Sequence, residues 1–345
     1  MSDERAHDSR LRELERWLTE DLGFGGCPIA PASMDASFRR YFRVKRDAES
    51  YIVMDAPPEK EALGPYLRVA GMLAGLGLNV PRLLARDAEL GFALITDLGA
   101  RQYLPELRDV GHAQRLYASA LDALLRMQTA GRASAAEFLP RYDQALLMRE
   151  MGLFETWFLG SHLRIEIDAA ARAMLQRLFA ALVANATEQP FTFVHRDYHS
   201  RNLMVTEENN PGILDFQDAL YGPLTYDLVS LLKDCYVAWP RDDVRAWALG
   251  HRDRLRAQGF ALPRDDGGFL RWFDLMGLQR HIKVLGIFCR LYYRDGKRQY
   301  LGDLQRVLYY VREVAQSYPQ TVEFAGFIAA RVDGVLGAAQ ARAQA

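Results

Sequence analysis

Cysteine is scarce in this chain: Cys27, Cys235 and Cys289 are the only three among 345 residues, odd in number and far apart. That count excludes a disulfide framework and a thiolate zinc site, and it suits a reducing compartment. Net charge is nearly missing as well, at −1, so the totals suggest neither a nucleic-acid nor a polyanion partner. Any recognition of phosphate has to be local. No run of about 18 apolar residues occurs, which gives no membrane span and no membrane partner. The opening MSDERAHDSR is charged and lacks the apolar stretch of a secretion signal, so a cytoplasmic location is expected. Internal repeats are lacking, and the low-complexity tail GAAQARAQA is expected to fray. What is present is ordinary globular material, half hydrophobic and a quarter charged, sufficient for about two domains with a sizeable core.

Texture changes along the chain. Leu11, Leu14, Trp17, Leu18 and Leu22 recur at helical spacing and predict an opening amphipathic helix. Pro28 and Pro31 then interrupt. Residues 40–44 and 50–54 are short, β-branched or aromatic, and are expected as strands around a polar turn. A helix over about 59–76 and two further strands, 80–85 and 91–96, follow. Beyond Asp97-Leu98-Gly99, apolar spacing of three and four predicts helices near 110–129, 141–161, 168–188, 241–258, 266–292 and 299–317. The expectation is an α+β chain, with a small β-rich nucleotide-binding lobe over 1–97 and a larger helical lobe over 98–345. A cleft between two such lobes is a common place for a small-molecule site.

One stretch breaks the helical texture: FVHRDYHSRNLMVTEENNPGILDFQDALYG, residues 193–222, with short strand-like runs at 193–194, 203–205 and 212–214. Asp197 follows His195 by two residues, Asn202 follows Asp197 by five, and Asp215 follows Asn202 by thirteen. A lone Asp in a loop is commonly a turn or cap residue. The ordered set is far rarer by chance. Asn202 and Asp215 offer one amide and one carboxylate oxygen, a poor cage for calcium. They suit magnesium, which keeps waters and shares substrate phosphates. Asp197 could then accept a proton from an incoming hydroxyl.

HRDYHSRN and ILDFQD resemble the catalytic loop and the metal-binding segment of the aminoglycoside phosphotransferase and choline kinase-like family, within the two-lobed protein-kinase-like fold. The resemblance covers roughly residues 20–320. It implies ATP and magnesium as cofactors, Asp197 as catalytic base, Asn202 and Asp215 as magnesium ligands, and a structural His195. Gly222-Pro-Leu-Thr-Tyr-Asp227 resembles the family segment that packs beneath the catalytic loop. On the nucleotide side the chain departs from the pattern. The loop MDASFRRYFRV has no glycine, and the strand YIVMDAP carries no lysine where protein kinases keep one. Ser37 and Phe38, through backbone N–H groups, with Arg39 and Arg40 (Arg43 and the more remote Lys60 in reserve), are the substitutes on offer. Thr96, Asp97 and Leu98 are expected to meet the adenine.

No complete HRDLxxxN, D-F-G or A-P-E occurs, which leaves a small-molecule hydroxyl rather than a protein as acceptor. His199, Gln217, Arg280, His281 and Lys283 are the candidate acceptor-side residues. Arg280 and Lys283 lie one helical turn apart in LQRHIKVLGIFCRLYYRDGKRQYL and can face the same way. A cation-rich pocket disfavours polycationic antibiotics and suits an acceptor carrying a carboxylate. SFRRYFRV, YIVMDAPPEKE, VHRDYHSRNLM and LQRHIKVLGIFCRLYYRDGK together resemble the anomeric amino-sugar kinases of cell-wall recycling. That implies an amino-sugar substrate, the C1 hydroxyl of N-acetylmuramate or N-acetylglucosamine. A kinase acting on choline, homoserine or an aminoglycoside, and a nucleotide-binding module without catalysis, are the alternatives. A monomer is expected.

Overall fold

The computed structural model describes residues 8–33 and 39–344. Ser37 and Phe38 therefore lie outside the described residues. Contacts divide the chain into two compact units. The first runs to Arg101 and also takes in Met204–Gln217; the second is Gln102–Leu203 with everything from Asp218 onward. A break at residue 97 does not capture the return of 204–217 to the first unit.

The first unit starts with helix α1, Ser9–Glu20, capped by Asp8, whose carboxylate accepts the Leu11 N–H at 3.0 Å. Its buried stripe of Leu11, Leu14, Trp17 and Leu18 covers one face of an antiparallel five-stranded sheet. The strands are β1 (Ile29–Ser33), β2 (Arg40–Arg46), β3 (Glu49–Asp55), β4 (Leu83–Asp87) and β5 (Phe92–Thr96), in the order β1-β2-β3-β5-β4. Strand alternation sends Phe42, Val44, Val53, Phe92 and Leu94 into the α1 core. The prolines that mark an interruption in the sequence in fact sit beside or within β1. Pro31 is tolerated because β1 is an edge strand, and the register shifts between Pro31 and Ser33. Helix α2, Leu63–Gly75, buries Tyr66, Val69, Ala70 and Leu73.

The returning segment is locked in locally. The Ile213 N–H bonds the Asn79 carbonyl at 2.8 Å, and Gly212 bridges Asn79. A Cβ on Gly212 would stand 2.9 Å from Leu98 Cδ1, so only glycine fits so closely.

The second unit is helical around one 30-residue helix, Asp266–Asp295, whose residues are almost all buried from Phe269 to Leu291. Helices enclose it on all sides, so its polar residues Gln279, Arg280, His281 and Lys283 are buried along with its apolar ones. The helix expected over 141–161 is α-helical over Gln144–Leu153 and widens to a π-helix over Phe154–Leu163. At that junction the long helix crosses at Gly286, where a Cβ would lie 2.4 Å from the Leu153 carbonyl carbon. Strand Phe191–Val194 pairs antiparallel with Leu220–Pro223 and delivers the catalytic-type loop. The tail does not fray as expected. Leu336–Gln344 is helical, Leu336 and Ala339 are buried, and the Tyr292 hydroxyl donates to the Ala343 carbonyl at 2.6 Å. No helix among the described residues is long and apolar enough to cross a membrane.

Candidate active site

Strand Phe191–Val194 is buried throughout, and the chain leaves it in a sharp turn at His195-Arg196. Arg196 takes a left-handed φ of 77°, a conformation a non-glycine residue adopts at a cost. Asp227 holds it there. Its buried carboxylate accepts the His195 N–H at 2.6 Å and the Arg196 N–H at 3.0 Å, so the G-P-L-T-Y-D segment does support the loop. Burial pushes the Asp227 carboxyl up to about 7, against the pull of those two N–H groups. His195 is fully buried, packs edge-on against Tyr198 at 5.6 Å, and its Nδ1 accepts the Asp197 N–H at 3.3 Å.

The loop then folds on itself. The His199 N–H bonds the Asp197 carbonyl at 3.0 Å, and the Asn202 N–H bonds the His199 carbonyl at 2.9 Å. Asn202 Nδ2 donates to the Asp197 carbonyl at 3.0 Å, which fixes the orientation of the amide. Tyr198 anchors the turn from below, its hydroxyl donating to the Ala120 carbonyl at 2.7 Å. Burial alone would raise the half-buried Asp197 carboxyl. Lys283, His199, Arg196 and Arg280 together hold it below the ordinary carboxylate range. The group is therefore ionised at neutral pH, as a proton acceptor requires.

The long helix supplies two of those cations. Lys283 is buried, 3.1 Å from Glu150 Oε1, and donates to the Tyr226 hydroxyl at 2.9 Å. Glu150 also pairs with Arg196 at 2.5 Å and accepts the Tyr142 hydroxyl. Arg280 is equally buried but bonds a thiol, Cys235 Sγ, at 3.2 Å. Its Nε has no hydrogen-bond partner, and no carboxylate among the described residues pairs with it. Gln279, one turn before Lys283, is fully buried with neither amide atom bonded. His281 stacks on Tyr310 at 4.8 Å and meets the Lys233 carbonyl through Nε2 at 2.9 Å. Burial, then the neighbouring Arg280, pushes the His281 imidazole down to about 3. His199 lies edge-on to Tyr236 at 5.5 Å, its Nδ1 unbonded. The second unit thus brings Asp197, His199, Arg280 and Lys283 into one electrostatic neighbourhood.

Asp215 belongs to the first unit. It has a φ of 61° and accepts Gln217 Nε2 at 2.7 Å, and the following Phe216 is fully buried and stacks on Tyr66 at 5.0 Å. Arg39 pairs with Glu61 at 2.8 Å, whereas Arg40 pairs with Asp8 and Asp55. The Asp97 carboxylate accepts Arg43 Nε at 2.6 Å, Ser50 Oγ at 2.6 Å and the Gly99 N–H at 2.9 Å. Thr96 Oγ1 accepts the Arg82 N–H at 2.9 Å. Glu150, Arg196, Tyr226 and Cys235 were not singled out in the sequence. A single acidic residue on a helix and a single thiol carry no local signal.

An ionised carboxylate in an HxDxxxxN loop, with a second aspartate after a short strand, is the pattern of a phosphotransferase. The chain belongs to the phosphotransferase enzyme family, whose pattern matches residues 28–266. It is 46% identical over 337 residues to an N-acetylmuramate/N-acetylglucosamine kinase of Pseudomonas aeruginosa, covering 95% of this chain and 98% of that protein. A protein of the same name from Neisseria meningitidis serogroup B is 40% identical, covering 90% of this chain and 92% of the relative. Among solved structures, the GDP complex of aminoglycoside 2'-phosphotransferase-IIIa superposes with a TM-score of 0.61 at 14% identity, over 90% of this chain and 100% of that one. A choline kinase from Streptococcus pneumoniae gives 0.59 at 11% identity, again over 90% and 100%. Those likenesses show the fold, an aminoglycoside phosphotransferase and choline kinase-like fold in which a five-stranded antiparallel sheet precedes a largely helical part.

Proposed function

We propose that this chain is an ATP-dependent kinase that phosphorylates the anomeric C1 hydroxyl of N-acetylmuramate and N-acetylglucosamine. The observation that carries the reading is Asp197, ionised and held by its own loop, beside the buried cations of the long helix. The relatives that the chain matches almost end to end support it. Asp197 accepts the C1 hydroxyl proton as the sugar oxygen attacks the γ-phosphorus of ATP. The bond to the β–γ bridging oxygen breaks, and ADP leaves. The donor set fits magnesium: the Asn202 amide is oriented by the Asp197 carbonyl, and Asp215 adds one carboxylate. Magnesium, when bound there, would draw off charge from the β- and γ-phosphates.

Thr96, Asp97 and Leu98 meet the adenine through their backbone, Asp97 keeping the segment in place through the contacts of its carboxylate. Ser37, Phe38 and the arginines after them serve the phosphates. On the acceptor side Lys283 is already committed to Glu150 and Tyr226. Arg280, buried without a carboxylate partner among the described residues, is the guanidinium that meets the lactyl carboxylate of N-acetylmuramate. His199 and His281 shape the same pocket, and Gln217 also serves the sugar. ADP release measured across N-acetylmuramate, N-acetylglucosamine, choline, homoserine and kanamycin tests this. Turnover on the two amino sugars alone is expected, and preferential turnover on any other acceptor would overturn the substrate assignment.

A further inference from the structure

The inner positions of β3, Val53 and Met54, are fully buried and apolar, so this strand offers the nucleotide no cation. Three arginines flank the gap, and the first unit sorts them. Arg40 lies in register with Asp55 on the sheet face that α1 covers. Its guanidinium bonds Asp55 at 2.6 Å and pairs with Asp8, while Arg10 takes the other Asp55 oxygen at 2.5 Å. Two cations around one fully buried carboxylate tie α1 to the sheet. Arg43 gives Nε and Nη2 to Asp97 and Nη2 also to the Gly99 carbonyl, at 2.6, 3.0 and 2.9 Å. Both arginines are occupied with structure.

Arg39 differs. It precedes β2 by one residue, so strand alternation turns it away from α1. Only 7% of it is exposed, and its Nη2 stands 2.8 Å from Glu61 Oε2, just before α2. From α2, Tyr66 stacks on Phe216 at 5.0 Å, the residue after Asp215, and the charges of Arg39 and Asp215 both reach the Tyr66 hydroxyl. Arg39 therefore sits on the Asp215 side of the sheet, its Nη2 held by the Glu61 carboxylate. A guanidinium is the side chain best shaped to meet phosphate oxygens.

We propose that Arg39, positioned by Glu61, is the cation that grips the nucleotide phosphates in this chain, in place of the strand lysine that protein kinases pair with a helix glutamate. The inference rests on the kinase reading above.

Calorimetric titration of ATP and of adenosine, with magnesium, into the full-length wild type, Arg39→Ala, Arg39→Lys and Glu61→Gln tests it. Arg86→Ala, at an exposed β4 position, is the control. Arg39→Ala should bind ATP about ten- to a hundredfold more weakly and adenosine unchanged, the scale of a lost charge-assisted contact. Arg39→Lys should fall between, and Glu61→Gln should weaken ATP selectively by less than Arg39→Ala. The control should match the wild type. ATP affinity unchanged in Arg39→Ala overturns the assignment. So does a loss shared equally by ATP and adenosine, which would mark Arg39 as structural. Should Arg39→Ala not fold, the ATP-to-adenosine ratio in Arg39→Lys decides, and an unchanged ratio overturns it. A wild type that binds ATP no better than adenosine also overturns it, since no cation then grips the phosphates, whereas a wild type that releases no ADP with either amino sugar would instead sink the kinase reading itself.

Discussion

Glu150 and Lys283 stand 3.1 Å apart, both buried, with Arg196 on the same carboxylate oxygen at 2.5 Å. This pairing joins the helix Gln144–Leu153 to the long helix and to the turn that carries Asp197. Removing the carboxylate leaves a buried lysine and a part-buried arginine facing each other. Glu150→Gln should therefore cost about 3–5 kcal/mol of unfolding free energy, read from denaturant melts. A loss below about 1 kcal/mol would mean that the pair is solvated and not structural.

The same cations hold the Asp197 carboxyl down. Lys283 is foremost among the charges that hold this carboxyl below its ordinary value of 3.8. A depressed acid stays ionised as pH falls, so wild-type kcat/KM should show no acid limb from this group until below that value. Lys283→Met removes a positive neighbour and should move the limb upward. An unmoved limb in a folded Lys283→Met protein would separate Lys283 from the base.

Arg280 should discriminate between the two sugars. Arg280→Gln is expected to lower kcat/KM for N-acetylmuramate about ten- to a hundredfold more than for N-acetylglucosamine, which lacks the carboxylate. Equal losses would make Arg280 a pocket-shaping residue.

The catalytic loop was legible because its chemistry is written within some twenty consecutive residues, from His195 to Asp215. The contacts that hold it were legible in part. The resemblance placed the Asp227 segment beneath the loop, which it reaches across 32 residues at the His195 N–H, but nothing pointed to Cys235, 45 residues from Arg280. Neither spacing has a period a sequence can display. Strand β1 was hidden for another reason: Pro31 reads as a breaker, and only its edge position makes it harmless. The fate of the tail depended on what Leu336 and Ala339 could be buried against, and low complexity does not reveal that.

Gly286 carries no chemistry, yet it sets the crossing of the long helix. Gly286→Ala places a Cβ 2.4 Å from the Leu153 carbonyl carbon and should destabilise by about 1–3 kcal/mol or more. Gly250→Ala, in a helix where an added Cβ meets nothing within 4 Å, should stabilise by up to about 1 kcal/mol through helix propensity. Thermal melts of the two variants should move in opposite directions.

The central claim is that Asp197 activates the anomeric hydroxyl. Phosphorus NMR of the product from ATP and N-acetylglucosamine, alongside the C1-blocked methyl glycoside, tests it most directly. The wild type should give a sugar phosphate coupled to H1 and leave the methyl glycoside untouched. Asp197→Asn should slow formation by about a hundredfold or more while still binding ATP. Phosphorylation of the methyl glycoside, or near-wild-type turnover by Asp197→Asn, would contradict the account.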